Sequence, residues 1–427
     1  MIRLLLSVCL LSLLSFGSTG FAADDNVAAT QWNMETLHKP PAMRWLDESS
    51  PIRSLLFEGE PYRGQSTDVY AIYATPGTIS GDPSKDHDLP AVVLVHGGGG
   101  TAFPQWVWQW AKRGYAAIAM DLSGRRSAAP EFDPETGELI VIRRTRQIPR
   151  SRLERGGPEQ GHEEKFDSVG GSIEDDWPYH AVASVIRAHS LVRSFEEVDA
   201  DRTAVTGISW GGYLTCIVAS RDDRFKAAAP VYGCGFLYDG ESVQRPLIER
   251  LPDGQRAEWI RRYDPSAHLP DCTVPILFVN GSNDVHYPLR SYMRSYELVP
   301  GEKQLRIEVG MRHSHEAGFV PEEIGLFFDQ HLRGGTPLPT LSSPVVQGER
   351  VTVSCESGLP IKTAKLHYTT DEGILSERTW QSVDAAVDET GRIDAEIPAE
   401  ATVCLIAVRD ERNALVSSEV IFRNAGE

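Results

Sequence analysis

Residues 202–216 read Arg-Thr-Ala-Val-Thr-Gly-Ile-Ser-Trp-Gly-Gly-Tyr-Leu-Thr-Cys, and this stretch decides the fold. It predicts a short strand that ends at Gly207 and a helix over 211–220, joined by a turn that must be tight. Glycines at 207 and 211 permit such a turn, which holds the Ser209 hydroxyl at the end of the strand, over the positive end of the helix. The pattern favours a catalytic serine. A plain glycine-rich turn is the alternative, because a bare GxSxG occurs often by chance.

Predicted strands and helices alternate on both sides of this turn. Alternation of this kind predicts an α/β fold with a mostly parallel sheet that is covered by helices on both faces. The predicted strands are 68–74, 90–96, 114–121, 226–231, 274–280 and 304–309. The predicted helices are 103–112, 177–195, 288–298 and 321–332.

The pattern changes after the Gly-Gly-Thr-Pro sequence at 334–337. From there to the end, five short alternating runs are separated by turn residues, and no helix is predicted. We expect a small all-β, immunoglobulin-like sandwich of about 90 residues. The predicted organisation is therefore a signal peptide at 1–22, an α/β catalytic domain at 23–337 and a C-terminal sandwich at 338–427.

The first 22 residues have the composition of an export signal. Arg3 precedes an apolar run over 4–16, and small residues stand at Gly20 and Ala22. This pattern predicts cleavage after Ala22 and a periplasmic or secreted protein. Export permits disulfides, and Cys355 and Cys404 could pair, but buried free thiols are an equal alternative in a chain of this size.

Charge and cysteine spacing exclude several classes of function. The chain of 427 residues has 42 lysines and arginines against 60 aspartates and glutamates, a net charge of −18 that argues against nucleic-acid partners. After residue 22 no apolar run approaches the roughly 20 residues of a membrane span. There is no CxxC pair, and a His-Ser-His loop is a weak metal signal, so neither pattern predicts a metal site. The oligomeric state is left open.

A serine nucleophile needs a base and an orienting acid, which on this topology follow it in the order Ser, Asp, His. Asp284 lies in the loop after the predicted strand 274–280. The loop after the next strand carries two histidines, His313 and His315. We prefer His315 as the base because it lies deeper in its loop, near a helix start. His313 would then be a supporting residue whose removal leaves activity intact.

Four glycines follow His96 at the end of the predicted strand 90–96. Backbone amides without side chains can approach a developing oxyanion closely. We expect an oxyanion hole built from Gly98, Gly99 and Trp210, the residue after the serine. A nucleotide-binding loop is disfavoured because the run lacks both Gly-Lys-Ser/Thr and a helix-opening GxGxxG.

Two insertions interrupt the alternation. Residues 124–174 are polar and carry six arginines between 143 and 155. They are predicted to be a solvated surface excursion, with a flap that contacts an anionic substrate as the alternative. Residues 233–269 stand where a cap over the site would be inserted.

Together these motifs resemble the α/β-hydrolase superfamily over roughly residues 60–335. Within it the chain resembles secreted acetyl xylan esterases, dienelactone hydrolases and prolyl oligopeptidase-like proteins. Further stretches that carry this resemblance are Trp177-Pro-Tyr-His180, Val231-Tyr-Gly-Cys-Gly-Phe236 and Tyr287-Pro-Leu289. The resemblance implies a Ser209 nucleophile, an Asp284 orienter and a His315 base, without a cofactor.

The expected function is hydrolysis of a small-molecule or polysaccharide carboxylic ester, in particular an acetyl xylan-type ester. A serine peptidase on short peptides is the alternative. The peptidase branch normally carries a large N-terminal β-propeller, and fewer than 100 residues precede the first core motif here. A third hypothesis is a binding protein in which the C-terminal sandwich does the work and the hydrolase fold is inert, and the ordered nucleophile, acid and base count against it. The sandwich itself could bind carbohydrate on aromatic residues such as Tyr368 and Trp380, or it could simply pack against the catalytic domain.

Overall fold

The computed structural model describes residues 31–142 and 147–423, so the predicted signal peptide at 1–22 lies outside the described residues. Within the described ranges, fourteen strands form one central sheet. Its order is β1-β2-β3-β5-β4-β8-β9-β10-β11-β20-β19-β15-β16, and β21 pairs with β19. These strands are β1 Met43–Asp47, β2 Arg53–Glu58, β3 Asp68–Ala74, β4 Leu89–Val95, β5 Ala116–Met120, β8 Val198–Ile208, β9 Ala227–Val231, β10 Ile276–Gly281, β11 Lys303–Glu308, β15 Ile361–Thr369, β16 Gln381–Asp384, β19 Val403–Asp410, β20 Leu415–Ser417 and β21 Ile421–Phe422.

The remaining strands form two smaller sheets. One is a hairpin of β6 Arg125–Ser127 and β7 Arg150–Arg152. The other has the order β12-β14-β18-β17, with β13 on β14. Its strands are β12 Thr340–Leu341, β13 Val345–Gln347, β14 Arg350–Glu356, β17 Ala386–Val387 and β18 Arg392–Glu396.

Helices cover the central sheet. They are α1 Met34–Leu37, α2 Pro76–Ser80, α3 Pro104–Lys112, α4 Trp177–Val192, α5 Trp210–Arg221, α6 Arg245–Glu249, α7 Asp253–Tyr263, α8 Leu289–Leu298, α9 His315–Gly318 and α10 Glu322–Arg333. Helices α3 and α10 pack together on one face, with the Trp110 and Phe328 ring centroids 5.3 Å apart. Helices α4 and α5 pack together on the other. No helix among the described residues combines the length and the apolar character needed to cross a membrane.

The mostly parallel sheet predicted from the sequence is confirmed. Strands β5, β4, β8, β9, β10 and β11 run parallel to one another. All seven residues of β4 are buried, because helices lie on both of its faces. The carboxyl ends of these strands meet at one edge of the sheet, which is the edge where the predicted site residues follow β4, β8, β10 and β11.

The immunoglobulin-like C-terminal sandwich is not confirmed. The C-terminal strands do form two sheets, but one of them continues the central sheet. Strand β20 pairs antiparallel with β11 through Leu305 and Ser417, and the Ile307 N–H donates to the Ser417 hydroxyl at 2.6 Å. The expected boundary at 337 therefore separates two stretches of chain that share a sheet.

All five cysteines of the described residues are buried free thiols. Cys355 lies on β14 and Cys404 on β19, in different sheets. The possible disulfide between them is not formed, and the structure agrees with the alternative of buried free thiols.

The fully buried His189 predicts loss of stability in mild acid. Its Nδ1 lies 2.8 Å from Asp222 Oδ2, and its Nε2 lies 2.8 Å from Thr203 Oγ1. Burial lowers the pKa of His189 from 6.5 to about 4, although Asp222 opposes the shift. Between these values the unfolded chain binds a proton that the folded chain does not, so the free energy of unfolding should fall as the pH drops from 6.5 to 4, by about 3 kcal/mol from this residue.

Urea denaturation at pH 7 and at pH 4.5 measures this loss. In His189→Gln the site no longer titrates, so the difference between the two pH values should shrink. Equal differences in the two proteins would show that His189 does not contribute. Burial also lowers the pKa of His268 to about 3, so part of the acid sensitivity should persist in the variant.

Candidate active site

The predicted nucleophile Ser209 lies between β8 and α5 in a strained backbone conformation. Its φ of 59° and ψ of −118° are rare for a residue with a side chain. A Cβ on Gly207 would lie 2.2 Å from the Gly211 oxygen, and a Cβ on Gly211 would lie 2.0 Å from the Val95 oxygen. The two glycines are therefore required for the close approach of β4, β8 and α5, as the sequence predicted.

A hydrogen-bonded chain joins Ser209 to an imidazole and a carboxylate. His313 Nε2 lies 2.9 Å from Ser209 Oγ, and His313 Nδ1 lies 2.6 Å from Asp284 Oδ2. Because a carboxylate only accepts, Nδ1 carries the proton and Nε2 presents its lone pair to the serine. The arrangement can take a proton from Ser209.

Asp284 is fixed by its own loop. Its side chain is 1% exposed. Its Oδ1 accepts hydrogen bonds from the backbone N–H groups of His286 and Tyr287, both at 2.8 Å. The other oxygen, Oδ2, is thereby held toward His313. The structure places Asp284 where the sequence predicted it.

The preference for His315 as the base is wrong, and with it the expectation that His313 is dispensable. His315 Nε2 accepts a hydrogen bond from the Gly97 N–H at 3.1 Å, so its lone pair is directed at the glycine loop rather than at Ser209. Its ring also packs on Phe103, with centroids 4.7 Å apart. His315 is buried support for the glycine loop.

The signal that distinguishes the two histidines is the residue between them. The Ser314 hydroxyl accepts from the Ala317 N–H at 3.0 Å and so caps helix α9, which begins at His315. A serine before a short helical stretch is a common N-cap. His315 is thereby fixed in the first turn of the helix, and the loop residue His313 is the one that reaches Ser209.

Of the predicted oxyanion residues, Gly98 and Trp210 line the cavity that contains Ser209. The two lie close together, since a Cβ on Gly98 would come within 3.0 Å of Trp210 Cδ1. The expectation for Gly99 is corrected: its N–H donates to Gln160 Oε1 at 3.1 Å and is engaged by that side chain.

His96 supports the same glycine loop, a role that the sequence analysis missed. Its Nε2 accepts from the Leu122 N–H at 2.9 Å, so its Nδ1 carries the proton and donates to the Gly97 oxygen at 2.7 Å. Burial lowers the pKa of His96, which favours the neutral ring that both bonds require. The loop is therefore held by His96 on one side and by His315 on the other.

The cavity at Ser209 has a volume of about 610 Å³. Polar side chains that the sequence analysis did not select line it beside the triad, and they are Gln147, Gln244, His286, Ser314 and Glu316. Gln244 comes from the predicted cap region 233–269. The His286 ring lies 4.5 Å from the His313 ring, centroid to centroid.

The insertion 124–174 contacts the glycine loop through the side chain of Arg150. Arg150 donates to the Gly100 oxygen, and Arg152 donates to the Gly156 oxygen at 2.8 Å. Arg155 pairs with Asp68 at 3.2 Å. These arginines bind groups of the protein itself, while the other three arginines of the run lie outside the described residues.

Lys165 of the same insertion lies beside the residue that follows the nucleophile. Its Nζ is 4.8 Å from the Trp210 ring centroid and 5.7 Å from that of Trp177. Burial lowers the pKa of Lys165 to about 8. The lysine ammonium group thus packs on the aromatic rings of Trp210 and Trp177.

Across residues 31–142 and 147–423, no three His, Cys, Asp or Glu side chains are grouped so that they could hold a metal ion.

Parts of the chain are similar to known proteins. A sequence model of the prolyl oligopeptidase family matches residues 154–323. Acylamino-acid-releasing enzyme 2 of Oryza sativa subsp. japonica is 25% identical in an alignment of 203 positions that covers 42% of this chain and 25% of that protein. The chain thus spans a quarter of the length of this curated relative.

Two solved structures share the fold. Acetyl xylan esterase from Paenibacillus sp. R4 is 22% identical with a TM-score of 0.52, over 71% of this chain and 94% of that chain. Acetyl xylan esterase 1 from Thermoanaerobacterium sp. JW/SL YS485 is 16% identical with a TM-score of 0.50, over 69% and 92%. With its parallel sheet and with Ser209, Asp284 and His313 in that order along the chain, the protein has the fold of the α/β-hydrolase superfamily and the Ser-His-Asp arrangement of its serine hydrolases.

Proposed function

We propose that the protein is a serine hydrolase that cleaves carboxylic esters through a covalent acyl-enzyme. The observation that carries the proposal is the hydrogen-bonded chain from Ser209 through His313 to Asp284, which opens on a cavity of about 610 Å³. A nucleophile, a base and an orienting acid in contact are the groups that acyl transfer requires.

In the proposed reaction, His313 Nε2 takes the Ser209 proton as Oγ attacks the ester carbonyl carbon. Asp284 stabilises the imidazolium that results, and the oxygen that becomes negative accepts hydrogen bonds from the Gly98 and Trp210 N–H groups. One such donor contributes about 3–4 kcal/mol to the stabilisation of the transition state.

The tetrahedral intermediate then collapses. The bond from carbon to the alcohol oxygen breaks, and His313 donates its proton to the departing alkoxide. A water molecule next attacks the acyl-enzyme while His313 takes one of its protons. Collapse of this second intermediate releases the carboxylic acid and returns the proton to Ser209 Oγ, so the triad ends in its starting state.

We infer a hydroxyl-rich alcohol, as in an acetylated polysaccharide, as the substrate class. Neutral amide side chains, Gln147 and Gln244, lie on the wall of the cavity and can bond to sugar hydroxyls. The likeness to two proteins named acetyl xylan esterases, over nearly all of their length, supports this class. The leader predicted at 1–22 supports an exported enzyme that meets such a polymer outside the cytoplasm.

A serine peptidase is the second candidate. The family model that matches residues 154–323 and the acylamino-acid-releasing relative favour it. The same triad could attack an amide, provided that His313 protonates the leaving nitrogen. Substrate tests therefore have to distinguish the two functions.

Assays of the purified protein on a panel of ester and amide substrates distinguish the two functions. We expect hydrolysis of p-nitrophenyl acetate and release of acetate from acetylated xylo-oligosaccharides, with kcat/KM well above that for N-acetyl-aminoacyl and dipeptidyl p-nitroanilides. Ser209→Ala serves as the blank. Faster cleavage of the anilides would replace the esterase assignment by the peptidase one.

A further inference from the structure

A loop of the C-terminal strands reaches the loop that carries the acid. The side-chain nitrogen of Asn283 donates to the Ser376 backbone oxygen at 3.0 Å and to the Arg378 backbone oxygen at 2.7 Å. Asn283 directly precedes Asp284. Both hydrogens of its amide are therefore committed to the C-terminal loop 371–380.

The other end of the same amide leads to the loop that carries His313. Asn283 Oδ1 accepts from the Ser282 hydroxyl, and the Ser282 Oγ accepts from the Gly310 N–H at 3.2 Å. Ser282 is 1% exposed. One continuous set of hydrogen bonds thus joins the loop 371–380 to the start of the segment 309–314.

The loop 371–380 is itself held at several points. The Leu375 N–H donates to Glu241 Oε2 at 3.1 Å, which ties the loop to the cap region. Arg378 Nη1 donates to Thr402 Oγ1 at 3.0 Å and its Nη2 to the Gly373 oxygen at 2.6 Å. The carbonyl groups that Asn283 contacts therefore belong to an anchored loop.

We propose that Asn283 is a positioning residue through which the C-terminal strands hold the acid and base loops in register with Ser209. The function of these strands is then to support the active site, in place of the carbohydrate binding considered from the sequence. The inference rests on the proposed function for its kinetic consequence, because misplacement of a reacting group by about 1 Å can cost about 100-fold in rate.

Asn283→Asp is the variant that tests the two hydrogen bonds from Asn283 to the loop 371–380 most directly. It keeps an oxygen for the Ser282 hydroxyl but replaces the two N–H donors by an oxygen that faces two carbonyl oxygens. We expect kcat on p-nitrophenyl acetate to fall about tenfold or more while KM changes less than about twofold, because alignment is lost and the cavity is not. Lys365→Ala is the control, since it removes an exposed pair with Asp384 between β15 and β16, the two strands that flank the loop 371–380.

Hydrogen exchange of the folded protein supplies a readout that does not depend on turnover. In Asn283→Asp the amides of 309–314 should exchange faster than in the wild type, and in Lys365→Ala they should not. Ser282→Ala breaks the set of bonds at its next link and should show the same change, so the test survives if one variant folds poorly.

The outcomes separate the two proposals. A wild type that is inactive on every ester and amide would refute the proposed function, while the exchange data would still test the coupling of the loops. Wild-type kcat together with wild-type exchange at 309–314 in Asn283→Asp would overturn the role of Asn283.

Discussion

Replacing His313 by alanine should lower kcat by about 10⁵-fold, whereas His315→Ala should lower it by no more than about tenfold. The two histidines are two residues apart, yet His313 Nε2 lies 2.9 Å from Ser209 Oγ while His315 Nε2 accepts from the Gly97 N–H. Loss of a triad base removes proton transfer altogether, and loss of the loop support only loosens the oxyanion donors.

Steady-state kinetics on p-nitrophenyl acetate measure this difference, with circular dichroism as the check that both variants are folded. Ser209→Ala should lose about as much kcat as His313→Ala, and the double variant should lose little more, because the residues act as one unit. A His313→Ala enzyme with activity near that of the wild type would exclude the assignment of the base.

Glu323→Ala should lower the free energy of unfolding by about 3 kcal/mol. Glu323 Oε2 lies 2.9 Å from the Nε of Arg306, and its Oε1 accepts from the Leu415 N–H at 2.7 Å. The two charged side chains are 5% and 6% exposed, so the truncation leaves a buried guanidinium with Glu308 as its remaining carboxylate partner, and it leaves an unpaired N–H on β20.

The adjacent residue provides the matched control. Glu322 lies one position earlier on α10 and pairs with Arg113 at 2.9 Å, but its side chain is 80% exposed. Glu322→Ala should cost less than about 1 kcal/mol, because water screens the pair. Urea denaturation of the two variants measures the difference, and equal midpoints would contradict the role given to the buried pair.

The alternation of strands and helices could be predicted because each core strand is buried on both faces. The sequence of such a strand is an uninterrupted run of apolar residues, as in β4. The helices between the strands instead have apolar residues at helical spacing. Strands β1 and β2 were missed. In β1 the burial pattern has no fully buried residue, so its sequence carries no strong periodic signal.

The junction of the C-terminal strands with the central sheet could not be predicted. It depends on the pairing of β20 with β11, which are more than 100 residues apart, and backbone hydrogen bonds between strands leave little trace in side-chain type. A change in the sequence pattern from helices to short strands predicts additional β-structure. It does not predict which edge of the central sheet the new strands join.

The position of a site residue could be predicted where that residue follows closely after a core strand. Ser209 and Asp284 are placed by β8 and β10, and the structure bears out both positions. The choice between His313 and His315 depended on a single residue, the helix-capping Ser314. The side chains of Gln147, Gln160 and Gln244 come from insertions whose sequences have no periodic pattern. Their positions follow from tertiary packing alone.

The addition of β20 also determines where the central sheet ends. Without it, the backbone of β11 would be an open template for a strand from another molecule. The outermost strands are instead β1 and β16, which are five and four residues long, and every residue of β16 is exposed. Such short outer strands are poor sites for intermolecular strand addition. We therefore expect the C-terminal extension to block strand addition at the edge of β11 that it covers.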